Sequence, residues 1–209
     1  MIWLTGSIRT WWLLAAGAMG GIASALLVGV TFAVPALDQS LTFQQLPMTV
    51  IIPLVFVVVG GGITAQGATA SAAVSARRHA MLINSSLFAA IITFVMFHII
   101  GLMLTAGLDD LAGARNALAY AALLYTAQNF VGVGYAPLIP AIYAVIATIF
   151  GRVGGVIQLW AWPALPASWS DLAVACLAAL ATAVTASAWA DRSSGRFYGI
   201  TRPAWLNSQ

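Results

Sequence analysis

Few residues in this sequence of 209 can do chemistry: two histidines, one cysteine, five aspartates and eight arginines, with no lysine and no glutamate. Without lysine there is no P-loop, because that motif needs one to reach the β- and γ-phosphates of a nucleotide. Paired carboxylates, a nucleophile beside a base, and a His/Cys/Asp cluster at metal spacing are all missing from the sequence, so neither a catalytic residue nor a metal site is expected. Cys176 stands alone in an apolar run and reads as packing. His98 is the one ionisable residue at the centre of an apolar stretch, in Thr93–Phe97–His98–Gly101. An imidazole placed there can hydrogen-bond a neighbouring helix, or it can contact a substrate or a proton. Both readings are open.

A second polar group is Tyr125, Thr126, Gln128 and Asn129, with Tyr120 just before it and Tyr143 further on. Polar side chains against lipid are costly, so this face points at protein or at a wet cavity. Tyr125, Gln128, Asn129 and Tyr143, with His98, are therefore the candidates to line a translocation path; helix-to-helix hydrogen bonding is the competing role.

The elements that carry these residues follow from composition. Apolar residues make up 62% of the chain and charged residues 6%, with a mean hydropathy of +0.97, whereas a soluble domain is charged at about a quarter of its positions. A net charge of +3 on scattered arginines makes no basic stripe for nucleic acid, and one cysteine cannot staple a secreted scaffold. An integral membrane protein remains. A helix needs about 20 apolar residues to cross the hydrocarbon core, and six stretches meet that demand: Thr10–Val34, Pro47–Ala65, Ala80–Ala106, Asn116–Gly134, Pro137–Ile157 and Leu172–Ala190. The first is too long for the apolar region of a signal peptide and reads as a retained span. Pro137 and Pro140 suit the first turn of the fifth, where a missing N–H costs nothing. The fold expected is all-α, a single transmembrane domain over residues 1–209 with six spans.

Orientation comes from the arginines, which are retained on the cytoplasmic side of short loops. With both termini cytoplasmic, Arg9, Arg77, Arg78, Arg192, Arg196 and Arg202 lie inside, while Arg115 and Arg152 lie outside with Asp38, Asp109, Asp110 and Asp171. This charge balance fits a bacterial inner membrane. Between the second and third spans, the segment Gln66–His79 has small residues, including Ser71 and Ser75, and closes on Arg77, Arg78 and His79. It reads either as a loop anchored at anionic headgroups or as a short helix that docks in a partner. On the opposite side, Trp160, Trp162 and Trp169 with Pro163 and Pro166 predict an interfacial or shallow re-entrant hairpin. Gly17-x-x-x-Gly21 and Gly151-x-x-x-Gly155 are sites where helix backbones can approach closely.

In order and spacing the chain resembles the membrane subunit of an ABC-2 type exporter. The resemblance rests on six spans with both ends inside, on Ala76–Arg77–Arg78 after span two, on a long third span, on the tight turn between spans four and five, and on the closing Trp189–Ala190–Asp191–Arg192. It implies a dimer of membrane subunits, identical or related, bound to two copies of a separate ATPase that holds ATP and Mg. The chain itself would carry no cofactor and would not be an enzyme. The resemblance further implies that Gln66–His79, with Ser71, Ser75, Arg77, Arg78 and His79, couples the spans to the ATPase. It also places Gly17, Gly21, Gly151 and Gly155 at the dimer seam. The cargo implied is amphipathic or hydrophobic: a peptide, a lipid-like molecule or a natural product. Two other classes share the hydropathy: a non-catalytic structural or assembly subunit of a larger membrane complex, and a small secondary carrier or channel with His98 as its switch.

Overall fold

The computed structural model describes the backbone of residues 2–35, 43–70, 76–105, 107–108, 110–153 and 156–199, and the side chains of 10–33, 45–65, 84–105, 107–108, 110–151 and 156–186. The described residues are mostly helical, 80%. Among the described residues six α-helices run in the order α1 (Ile2–Leu26), α2 (Met48–Ala70), α3 (Ala76–Thr105), α4 (Ala112–Val131), α5 (Leu138–Phe150) and α6 (Trp169–Gly199). Two small antiparallel ladders interrupt them. β1 (Thr31–Pro35) pairs with β2 (Phe43–Pro47) between α1 and α2, and β3 (Arg152–Val153) pairs with β4 (Val156–Ile157) after α5. A 3-10 turn over Leu159–Ala164 then leads to α6.

Three of the helices contain a stretch long and apolar enough to cross a membrane: Met48–Ala65 in α2, Asn84–Thr105 in α3 and Trp169–Ala186 in α6. Shorter apolar stretches lie in α1, at Thr10–Leu26, and in α5, at Leu138–Phe150. The first and fifth predicted spans thus stop early, and the reason is local. Gly29 adopts a φ of 84°, and the chain leaves α1 into the β1–β2 ladder, which takes up Thr31–Val34. At the other place, Gly151 ends α5, and the ladder of β3 and β4 takes up the rest of the predicted span. With 13 residues, α5 is about 20 Å long at 1.5 Å per residue.

Helix α4 is the centre of the bundle. Twelve of its residues are buried, including every one from Ala112 to Leu118, and it packs against α6, α2, α3, α5 and α1. That position explains its composition: a helix surrounded by other helices can keep polar groups that a lipid-facing one could not. Its end is set by Gly132, whose φ of 80° lies in the region that side chains disfavour, and a turn through Pro137 starts α5.

The closest pairing is α1 with α3. A Cβ on Gly17 would stand 2.5 Å from the Ala90 carbonyl oxygen, and one on Gly21 would overlap the Phe94 carbonyl and crowd the His98 amide. Only glycine allows this approach, and beside it Phe56 of α2 stacks on Phe94 of α3 with ring centres 5.1 Å apart. The opposite faces are apolar and open. Val55, Val59 and Ile63 on α2, Ile142, Val145 and Ile146 on α5, and Val174, Leu177 and Val184 on α6 are all exposed. Apolar area of this extent on a folded chain calls for a medium other than water.

Candidate functional site

At the end of the bundle that carries Trp160, Trp162 and Trp169, backbone chemistry sets up a polar clamp. Pro53 sits inside α2 and has no N–H, so the carbonyl four residues earlier, that of Thr49, loses its helical donor. Asn116 on α4 supplies one: its Nδ2 donates to the Thr49 carbonyl at 2.9 Å and, with its other hydrogen, to the Pro163 carbonyl at 3.0 Å. Beyond α5, Pro163 and Pro166 likewise remove donors from the segment Leu159–Ala167. Its carbonyls turn to Arg115, whose Nη2 donates to Trp162 and Leu165 at 2.7 Å each and whose Nη1 donates to Pro166 at 3.1 Å. Nε and Nη2 also donate to Asn116 Oδ1, at 3.2 and 3.0 Å.

Arg115 is 7% exposed and Asn116 is sealed. Burial draws the Arg115 guanidinium below its ordinary pKa while Asp171 and Asp110 oppose that shift; it stays charged at neutral pH. Aromatic rings close around it. The Arg115 guanidinium lies 5.7 Å from the Trp162 ring centre, and that ring contacts Tyr120 at 5.4 Å and stacks on Tyr143 at 5.6 Å. Tyr143 donates its hydroxyl to the Trp160 carbonyl. Asp110 Oδ1 accepts the amides of Ala112 and Ala167, and the Leu111 amide donates to the Ala167 carbonyl. Ser168 and Asp171 form a capping box that starts α6: the Ser168 amide and hydroxyl both donate to Asp171 Oδ2, at 2.9 and 2.7 Å. The tryptophan segment is therefore folded back onto the bundle, with Ala161 and Pro163 buried while Trp160 and Trp169 remain exposed.

The residues expected to line one path are separated by the fold. Tyr125 is sealed and donates its hydroxyl to the Asn84 carbonyl of α3 at 3.1 Å, an interhelical bond. Tyr143 belongs to the tryptophan clamp. Gln128 and Asn129 are half-buried near the opposite end of α4. His98 is sealed between α1, α3 and α4, beside Ser24 and Gly113. A groove among the described residues runs elsewhere, between Gln45, Val50, Ala144, Thr148, Ile157 and Ala161. No predicted path residue lines it.

Gly17 and Gly21 pack inside the chain, where α3 fills the face they open. Gly151 faces Ala161 of the folded-back segment, so it too serves an internal contact. Gly155, Ser71 and Ser75 lie outside the described residues, as do the side chains of Arg77, Arg78 and His79, whose backbone forms the first turn of α3. Among the described residues no three His, Cys, Asp or Glu side chains cluster as metal ligands would.

Sequence reasoning missed Asn116, Thr49, Asp110 and Ser24 as partners, and used Arg115 only as a marker of sidedness. One signal was present: a proline six residues into an apolar helix frees a carbonyl, and a lone amide side chain on another apolar helix is a fitting donor. No protein-family model, no curated protein and no solved structure matches this chain.

Proposed function

We propose that the chain is the permease subunit of an ATP-driven exporter of the ABC-2 type, a multi-pass protein of a bacterial inner membrane that works with a separate ATPase. The observation that supports this reading best is the succession of elements. A long α3 begins with Arg77 and Arg78 directly after the small-residue segment, a tight turn joins α4 to a short α5, and a folded-back tryptophan segment precedes the last helix. Both termini and the α2–α3 connection lie on the cytoplasmic side, and the tryptophan clamp lies outside.

In this reading, ATP-driven closure of the partner presses on the α2–α3 connection. The glycine contacts lock α1 to α3, so the two helices move together, while Arg115 and Asn116 hold α4, α2 and the tryptophan segment as a second rigid group. Pivoting of the two groups about the tryptophan end would open a largely apolar way for an amphipathic cargo. Purification of the tagged chain in nanodiscs from its native membrane, followed by intact mass, tests the assembly: two membrane chains with two ATPase copies are expected. Arg77→Ala together with Arg78→Ala should leave that complex assembled and abolish cargo-stimulated ATP hydrolysis. Recovery without an ATPase sinks the proposal.

A second reading is favoured by the internal use of the polar side chains. Tyr125, Tyr143, Arg115 and Asn116 are all bonded within the chain, as suits a structural subunit of a larger membrane assembly. Recovery of the chain with other membrane proteins would bring that reading forward.

A further inference from the structure

Among the described residues four buried side-chain polar atoms have no hydrogen-bond partner within the chain, and besides the Tyr120 hydroxyl these are Ser24 Oγ and both ring nitrogens of His98. Both side chains are 0% exposed. They come from different helices, α1 and α3, and converge on a third. A Cβ on Gly113, in the first turn of α4, would lie 2.5 Å from Ser24 Oγ, 2.6 Å from His98 Cε1 and 2.9 Å from His98 Nε2. Two polar atoms that border one point so closely can both be reached by a single hydrogen-bonding oxygen, though they do not bond each other. The walls around them are apolar or backbone. Phe94 stacks on the imidazole at 6.4 Å, Gly21 brings its backbone up to the ring, and Ala25 packs on Gly101 one turn further along α3. Asp110 lies within electrostatic reach of the imidazole, and its Oδ1 is already held by two amides.

We propose that Ser24 and His98 bind one ordered water molecule beside Gly113, which ties α1, α3 and α4 together at the tryptophan end. A buried water takes two to four polar partners, and here a hydroxyl that donates or accepts meets an imidazole that does either. A glycine at 113 is part of the site, since a Cβ there would collide with Ser24 Oγ and the His98 ring. The water satisfies groups that an apolar interior would otherwise leave bare, and it gives the sealed imidazole a route for proton exchange. This inference does not depend on the exporter reading.

The test is water-edited solid-state NMR on the full chain in lipid bilayers, with ¹⁵N-labelled histidine and His79→Gln to leave His98 as the only signal. Water protons should transfer polarisation rapidly to the His98 ring nitrogen, and Ser24→Ala should slow that transfer severalfold while the rest of the spectrum stays in place. Gly113→Ala should abolish it. If Gly113→Ala fails to fold, as judged by size-exclusion and the amide fingerprint, the Ser24→Ala comparison still decides. Transfer to His98 no faster than to the sealed Ile91 amide overturns the proposal, and so does a direct Ser24–His98 hydrogen bond seen as a short Oγ–nitrogen distance in the same sample.

Discussion

Replacing Arg115 with methionine removes the donors that hold the tryptophan segment while keeping most of the side-chain volume. The cost can be worked from the contacts. Three main-chain carbonyls, at 2.7, 2.7 and 3.1 Å, lose a charged donor. At a low-end value of about 1.5 kcal/mol for each charge-assisted bond, the loss is about 4–5 kcal/mol. The site's 7% exposure leaves little water to compensate, and the Trp162 contact at 5.7 Å adds about 0.5–1 kcal/mol. Because the bonds join the segment to α4 rather than holding α4 together, the effect is local opening. Hydrogen exchange followed by mass spectrometry in nanodiscs reads it through the amides of Ala161 and Leu165, which donate to Gln158 and Trp162. Since about 1.4 kcal/mol is a factor of ten, protection there should fall roughly a thousandfold, with peptides from the middle of α3 unchanged. Arg115→Lys keeps the charge but lacks the fork that reaches several carbonyls at once, so it should recover only part of the protection. Protection of the segment within about tenfold of wild type in Arg115→Met, the worth of one such bond, would refute the assignment of the clamp.

Three further outcomes are expected. Gly21→Ala should destabilise the bundle by about 1–3 kcal/mol through backbone overlap at Phe94, whereas Gly62→Ala, with nothing within 4 Å of its Cβ, should stabilise α2 by about 0.5–1 kcal/mol; thermal unfolding in detergent separates them, and equal effects would contradict the packing. Tyr125→Phe should cost about 1 kcal/mol for the lost bond to Asn84 and leave any transport rate unchanged, so a transport defect at full stability would return Tyr125 to the path. Asn116→Leu should cost less in a Pro53→Ala background than in wild type, by about 1 kcal/mol, because the restored N–H at position 53 takes over the Thr49 carbonyl; a strictly additive double-mutant cycle would disprove the link between the proline and the amide.

Three helices, α2, α3 and α6, were legible because hydropathy alone marks their apolar stretches. α2, α3 and α6 run close to the predicted Pro47–Ala65, Ala80–Ala106 and Leu172–Ala190. The two short ladders were not legible, since Thr31–Val34 and Val156–Ile157 are as apolar as the helix ends they follow, and a window average cannot tell an extended apolar run from a helical one. The glycines at 17 and 21 announced a close approach but not its partner. Any helix could have filled that face, and only the fold shows that α3 does.

The polar residues of α4 teach the more general point. From sequence, a polar helix among apolar ones suggests a wet path, because the alternative acceptors are invisible: they are main-chain carbonyls. Here the demand for donors is created by prolines, at 53 in α2 and at 163 and 166 before α6, each of which strips an N–H from a segment that must still be packed. The supply comes from Asn116 and Arg115, adjacent in sequence and placed in the first turns of the central helix, where both reach the same end of the bundle. What the polarity of α4 marks there is the repair of proline-broken backbone. Only Ser24, His98 and the Tyr120 hydroxyl remain without such partners among the buried, described side chains, and of these Ser24 and His98 alone face each other across three helices.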